Sequence, residues 1–245
     1  MKTIILCGGK GTRYDADRPK SLAMIGNKPI IHHLMDIYDR QGYSEFILCL
    51  GWKQEDIIKY FMTHQHKFII TFVDTGQESH TAKRLKLIEN YIPKDNKNFF
   101  CNYCDGLANV NLTNLEIIHI TNRSVATLTA VRPTNQFGTL EFNGNGNVTE
   151  FKEKPKLRDY INGGYFTFNR KIFDYIDLNK NQELEKDILT KLAKDNQLGA
   201  YKHDNENSFW ETLNTTKDEI NLNNILIKCT KDGLSPPWLN YDKEK

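Results

Sequence analysis

The densest chemistry in the sequence lies at Cys7-Gly8-Gly9-Lys10-Gly11-Thr12-Arg13, with Arg18-Pro19-Lys20 close behind it. Glycines let backbone N–H groups close on phosphate oxygens with no side chain in the way. Lys and Arg beside such a nest add the cations that a polyphosphate needs. The run Thr3 to Cys7 reads as a buried strand, and the C-terminal end of a strand is where an open α/β sheet binds ligands. Two common phosphate loops do not fit. A Walker loop requires Gly-Lys followed by Ser or Thr, whereas the order here is Lys10-Gly11-Thr12-Arg13. A dinucleotide fingerprint requires GxGxxG and an acidic residue after the second strand, which here ends Leu48-Cys49-Leu50-Gly51-Trp52-Lys53. A plain strand-to-loop turn edged by solvated basic residues stays open as the alternative.

The elements that must position this loop follow from periodicity. Lys28 to Gln41 reads as a helix stopped by Gly42, with Ile30, Ile31, Leu34, Ile37 and Tyr38 on one side, and Glu45 to Leu50 as the next strand. The alternation continues with a helix over Gln54 to Phe61, a strand over Phe68 to Val73, a helix over Thr81 to Tyr91 and a strand over Asn98 to Cys104 that ends in Asp105-Gly106. This pattern predicts an α/β fold with a doubly wound, mostly parallel sheet. After residue 122 the runs Val125 to Val131, Thr139 to Phe142, Val148 to Phe151 and Tyr165 to Phe168 read as strands, the middle two joined by an Asn-Gly-Asn-Gly-Asn hairpin. Leu184 to Lys194 and Glu219 to Lys228 read as helices. We expect a single domain over 1–245, with a nucleotide-binding half at 1–122 and an acceptor-binding half with the C-terminal helices at 123–245.

Composition excludes several classes. With 245 residues, 39% hydrophobic and 26% charged, the chain can bury a substantial core. A net charge of +2 without dense basic blocks argues against nucleic acid as a partner. No apolar run approaches the roughly 18 residues needed to span a bilayer, so no membrane partner and a soluble, cytoplasmic protein are expected. Five cysteines, three of them inside apolar strand runs (Cys7, Cys49, Cys101), read as reduced thiols, and Cys101-x-x-Cys104 lies in a strand without a second zinc-ligand pair. His64, His66 and His80 read as solvated surface. Taken alone, Asp105-Gly106 reads as a turn, and Glu153-Lys154-Pro155-Lys156 reads equally well as a solvated strand end or as a functional charge run.

The chain resembles the sugar-phosphate nucleotidyltransferases, whose signature LAGGxGTR…KPK is matched by LCGGKGTR…RPK. The likeness extends through VDTGQESHTAKRLK, YCDG, FGTLEF, FKEKPK, INGGYF and FW, in that order, and is nearest the glucose-1-phosphate cytidylyltransferase branch. It implies a Rossmann-like nucleotidyltransferase fold with added antiparallel strands. It also implies that Leu6, Gly8, Gly9, Gly11 and Thr12 cradle the nucleotide, and that Thr75, Gly76, Ser79 and Arg84 lie around its base or phosphates. In the same way Arg13 would hold the departing pyrophosphate, Lys20 would face the reacting phosphates, and Asp105 would hold Mg²⁺. Glu153, Lys154, Asn162, Gly163, Gly164 and Trp210 would line the acceptor pocket.

Three departures from the family pattern fall near the acceptor, metal and assembly regions. Leu213-Asn214-Thr215 stands where the family has Met-Asp-Thr, so an amide replaces a metal-binding carboxylate and Asn214 becomes the second metal candidate. The stretch between Phe61 and Val73 is shorter than in relatives, and Glu211-Thr212 replaces Gln-Pro. The resemblance implies transfer of CMP from CTP to a small phosphorylated acceptor, a sugar 1-phosphate feeding surface-polysaccharide synthesis, by a homo-oligomer. Activation of a non-sugar phosphate such as phosphoglutamine, for a capsular phosphoramidate, is the alternative, and a nucleotide-binding subunit without turnover is a third reading. A phosphate monoester is already largely dianionic at neutral pH. The reaction therefore needs cations more than a base, and Lys20, Arg13 and Mg²⁺ on Asp105 are the candidates.

Overall fold

Thr3, Ile4, Ile5 and Leu6 are all buried and form β1 (Thr3–Leu6) near the middle of a seven-stranded sheet. The computed structural model describes residues 1–11, 14, 17–95 and 97–241. After a short ribbon of β2 (Met24–Ile25) and β3 (Lys28–Pro29), the chain alternates α1 (Ile30–Asp39), β4 (Glu45–Leu50), α2 (Gln54–Thr63), β5 (Ile69–Asp74), α3 (Thr81–Leu87) and β6 (Asn98–Tyr103). The second half adds β7 (Gly106–Ala108), α4 (Leu112–Asn122), β8 (Ala126–Val131), β9 (Thr139–Phe142), β10 (Val148–Lys152) and β11 (Ile161–Asn169). A π-helical turn over Leu184–Leu189 runs into α5 (Thr190–Lys194), followed by β12 (Leu198–His203), β13 (Trp210–Thr212) and α6 (Thr216–Lys231).

The sheet order is β12-β8-β11-β6-β1-β4-β5. Only β11 runs against its neighbours β6 and β8; the other pairings are parallel. The expected mixed, mostly parallel sheet is therefore present. Buried side chains of α1, α2, α4 and α6 pack on one face, while those of α3, the π turn and α5 pack on the other. Among the described residues no helix is long and apolar enough to cross a membrane.

Register decides where the chemistry emerges. Leu6 pairs with Cys49 on one side and Tyr103 on the other, so the glycine loop and Cys104-Asp105 leave the sheet next to each other. Beyond them β7 pairs antiparallel with β13, Gly106 opposite Thr212, and the Leu213 N–H donates to the Asp105 carbonyl at 2.8 Å. This ladder carries Asn214 to the side of Asp105.

Several boundaries differ from expectation. The first long helix begins at Ile30, not Lys28, because the residue before a proline is disfavoured in helical backbone and Pro29 itself sits extended at the N-cap with ψ 157°. The α3 helix stops at Leu87, and Glu89–Tyr91 continues as a 3-10 turn. The expected strand at Tyr165 to Phe168 is longer, and its register shifts between Asn162 and Phe166, where Gly164 takes φ +81°. The helix expected over Leu184 to Lys194 is π-helical in its first half. The final helix is longer than expected because Thr215 and Asp218 form a capping box that starts it at Thr216. Periodicity gave no sign of α4, in which Leu112 and Leu115 are buried while Ile117 and Ile120 face out. The edge strand β12 was equally silent. His66 is not solvated surface: it stacks on Phe68 with ring centroids 5.5 Å apart and bonds the Phe61 carbonyl at 3.0 Å.

All five cysteines are free, with Cys7, Cys49 and Cys101 buried. Burial pushes Cys49 and Cys104 up to about 12 and raises Cys7 and Cys101 too. At about pH 8, where an ordinary thiol is partly ionised, these four stay protonated and poorly nucleophilic. Iodoacetamide labelling of the native protein followed by peptide mass analysis should therefore modify Cys229 first; rapid modification of Cys49 or Cys101 would contradict this packing.

Candidate active site

The glycine loop is held from behind. Arg84, on α3, is 3% exposed, and its guanidinium donates to the carbonyls of Gly8 at 2.9 Å, Leu50 at 3.0 Å, Gly76 at 2.8 Å and Gln77 at 3.1 Å. It also donates to Thr75 Oγ1 at 2.8 Å, and Thr75 in turn donates to the Leu50 carbonyl at 2.6 Å. A Cβ on Gly8 would overlap this guanidinium and stand 2.8 Å from the Leu50 carbonyl carbon, which explains the glycine. Thr75, Gly76 and Arg84 are thus the scaffold under the loop. Ser79 lies beside them, its N–H on the Gly76 carbonyl at 3.3 Å. Arg84 spends its donors on backbone carbonyls and on Thr75, and none of the four lines the main cavity.

Lys20 sits in a 3-10 turn, and its stem lies 3.1 Å from where a Gly11 side chain would begin. Its ammonium donates to Asp105 Oδ2 at 2.5 Å and to Asn214 Oδ1 at 2.9 Å. The Lys20 and Asp105 side chains are only 13% and 23% exposed, so the pair is partly sheltered from water. The first turns of α6 hold the Lys20 segment from the side. Glu219 accepts from the Tyr14 hydroxyl at 2.6 Å and from the Met24 N–H at 3.2 Å, and Asn223 accepts from the Gly26 N–H at 2.8 Å. Asn214 is fixed at the head of the same helix, its N–H donating to Asp218 at 2.9 Å.

The opposite wall comes from β11 and β13. The Trp210 indole N–H donates to the Gly163 carbonyl at 2.8 Å, and Asn162 accepts from the Gly164 N–H at 2.9 Å. Gly164 sits at φ +81° with the Tyr103 ring 2.8 Å from a hypothetical Cβ, so no larger residue fits without movement.

One cavity of about 540 Å³ unites nine of the sequence candidates: Leu6, Gly9, Gly11, Lys20, Asp105, Asn162, Gly163, Gly164 and Trp210 all line it. Asn214 reaches this cluster through Lys20. Thr12 and Arg13 lie outside the described residues. Glu153 and Lys154 are exposed on the turn after β10 and do not line the cavity. They follow β10, which with β9 forms a separate ribbon that pairs with no strand of the main sheet. Glu211 faces a neighbouring groove, where burial and then Asp218 raise its carboxyl.

The cavity also has residues that sequence reasoning missed. Glu185, from the π turn, accepts from the Tyr103 hydroxyl and from Thr81 Oγ1 at 3.3 Å. Ser21 Oγ and Asn102 Oδ1 are buried without a hydrogen-bond partner, and both residues line the cavity. Orphaned buried polar atoms of this kind mark where water or ligand belongs. Asn102 is a polar residue within the otherwise largely apolar run of β6, which is the local signal the sequence offers for it.

Residues 2–228 match the family model described as nucleotidyl transferase. A Bacillus subtilis (strain 168) protein named as a probable glucose-1-phosphate cytidylyltransferase is 39% identical over 249 residues, covering 92% of this chain and 96% of the relative. The glucose-1-phosphate cytidylyltransferase of Salmonella typhimurium is 35% identical over 268 residues, covering 99% and 100%. In fold, the chain is similar to the crystal structure of HddC from Yersinia pseudotuberculosis, with a TM-score of 0.69 at 20% identity over 91% of this chain and 98% of that one. With a glycine loop at the sheet edge, a clamped lysine and a family match along nearly its whole length, the chain belongs to the nucleotidyl transferase family.

Proposed function

We propose that the protein is a cytidylyltransferase that moves CMP from CTP to a sugar 1-phosphate and releases pyrophosphate. The observation that carries this reading is the Lys20 ammonium held by Asp105 and Asn214 in a cavity shared by the glycine loop and the Gly163-Gly164 wall. The relatives at 35–39% identity, named for glucose 1-phosphate and cytidylyl transfer, support the choice of substrates.

The chemistry follows from charge. A phosphate oxygen of the acceptor, already anionic, attacks the α-phosphorus of CTP; a new P–O bond forms as the bond to the bridging oxygen breaks, and its electron pair leaves on pyrophosphate. No proton must be removed first. Two polyanions must nevertheless be brought together, and Lys20 is placed to neutralise the phosphates as charge accumulates on the leaving group. The glycine loop offers backbone N–H groups, while Arg84 keeps that loop in place. Tyr103, Glu185, Asn162 and Trp210 give the other side of the cavity the hydrogen-bonding edges and aromatic face that suit a sugar.

The residues present fit Mg²⁺. Asp105 Oδ2 and Asn214 Oδ1 are hard oxygen donors that converge on one point, now taken by the lysine ammonium, and Mg²⁺ commonly needs one or two protein oxygens plus substrate phosphates. When bound there it would share its charge among the phosphate oxygens. Asp105 and Asn214 would hold it.

The reading is tested by measuring pyrophosphate release with CTP, UTP, GTP, ATP and dTTP against a panel of sugar 1-phosphates, phosphocholine and phosphoglutamine. Release should require CTP and a sugar 1-phosphate; release with phosphoglutamine alone would shift the acceptor, and none at all would exclude turnover. Lys20→Ala should lower turnover on the order of a hundredfold, equivalent to about 3 kcal/mol, with the fold intact by circular dichroism. Near-normal activity in that variant would refute the role of Lys20. Trp210→Phe removes the bond to the Gly163 carbonyl and should raise KM for the sugar phosphate about five- to tenfold while leaving KM for CTP unchanged. Equal effects on both constants would place Trp210 outside the acceptor wall.

A further inference from the structure

We infer that the protein carries a second anion site, for a phosphate group, at the end of the sheet opposite the main cavity. A cavity of about 310 Å³ opens there, where the start of β6, the end of α4, the end of β11 and the start of β12 come together. Three cations from separate parts of the chain line it: Lys97 just before β6, Arg123 at the C-cap of α4 and Lys171 just after β11. No carboxylate lines it, and among the described residues none of the three cationic side chains has an ion-pair or hydrogen-bond partner.

Carboxylates on the neighbouring elements are used elsewhere or stand aside. Glu116 on α4 accepts from the Tyr43 hydroxyl at 3.2 Å, and Glu89 pairs with Lys86 at 2.7 Å and with Arg170 at 3.7 Å. Asp95, Asp174 and Asp195 are exposed outside the lining. The negative end of α4 accounts for a cation at Arg123, but Lys97 and Lys171 come from other elements and owe nothing to that helix.

The wall between the cations is built of hydrogen-bonding groups. His119 is 2% exposed yet lines the cavity; its Nδ1 lies 3.0 Å from Thr127 Oγ1, and its other ring nitrogen has no hydrogen-bond partner among the described residues. Burial lowers this ring to about 4, so it is neutral at pH 7; with the Thr127 hydroxyl donating to Nδ1, the ring proton sits on Nε2 and is offered to the cavity. Asn169 braces the rim, its amide donating to Asn98 Oδ1 at 3.1 Å, its Oδ1 accepting from the Lys171 N–H at 3.0 Å and its own N–H donating to the Val125 carbonyl at 2.8 Å. Cations and neutral donors without a counter-charge suit an anion with several acceptor oxygens, and the volume, at the lower end for ligand cavities, suits free phosphate or a small phosphomonoester.

The two cavities are joined by rigid strands. Asn98 and Asn169 line this one, while Tyr103 and Asn162, on the same two strands, line the main one. The five residue steps of β6 from Asn98 to Tyr103 set them about 17 Å apart. The site does not depend on what the main cavity binds.

The test titrates orthophosphate and glycerol 3-phosphate into the full chain, isotope-labelled at histidine Cε1, at an ionic strength held constant with sodium chloride and followed by nuclear magnetic resonance. The His119 signal, assigned among the seven histidines through His119→Gln, should move saturably, with half-saturation at about 1 mM. The double variant Lys97→Gln/Lys171→Gln changes two exposed side chains and should weaken this response at least about tenfold with the fold intact by circular dichroism. Lys94→Gln, at an exposed lysine outside the lining, should leave it unchanged. A tighter response to glycerol 3-phosphate would assign the site to an organic phosphate, and an equal one to the phosphate group alone. A His119 signal unmoved by about 20 mM of either probe, or the same response in the double variant as in the wild type, would overturn the inference.

Discussion

One ammonium group joins residues from three distant parts of this chain. Lys20, Asp105 and Asn214 meet only because the sheet edge, the β7–β13 ladder and the head of α6 arrive at the same place. A lysine partly sheltered from water is costly to bury unless its donors are met, and an aspartate beside it has the same requirement. Each therefore makes the other tenable, and the geometry of everything around the cavity serves to keep them together. Breaking one partner would leave a charge stranded in a partly dry site.

The fold supplies this meeting through register. Leu6 lies between Cys49 and Tyr103, so the loop after β1 and the turn after β6 rise from adjacent strands. Arg84 fastens the loop from beneath with bonds to backbone carbonyls, and Glu219 and Asn223 fasten the Lys20 segment from the side. The reacting groups are consequently set by rigid elements, which is what preorganised charge stabilisation requires. The Ser21 hydroxyl and Asn102 carbonyl on the cavity wall are buried without a protein partner and are free to accept from or donate to a bound molecule or water.

Much of this was legible in the sequence, and the failures have physical causes. A continuous apolar run marked β4, and a glycine and asparagine turn marked the β9–β10 hairpin, whose Asn143 side chain accepts from the Asn145 and Asn147 N–H groups. Pro29 holds Lys28 out of helical backbone, so α1 starts at Ile30, where the apolar stripe itself begins. The α4 helix was missed because its apolar residues do not share a face. The glycine loop and its cations pointed to phosphate on their own, but the convergence of Lys20, Asp105 and Asn214 spans nearly 200 positions and no spacing rule reaches that far; only resemblance suggested it. Glu185 had no local signal, since it depends on a π turn that propensity cannot foresee. The contacts of Arg84 with the carbonyls of Gly8, Leu50, Gly76 and Gln77 had no local signal, since they join parts of the chain up to 76 positions apart.

The central claim is that the bond broken in CTP is the one between the α-phosphorus and the oxygen bridging to the β-phosphorus. Incubation with a sugar 1-phosphate and CTP labelled either at the α- or at the γ-phosphate, followed by chromatography, tests this directly. The account predicts that the α label appears in the sugar nucleotide and the γ label in pyrophosphate. Transfer of the γ label to the acceptor, as in a kinase, or its release as orthophosphate would contradict it.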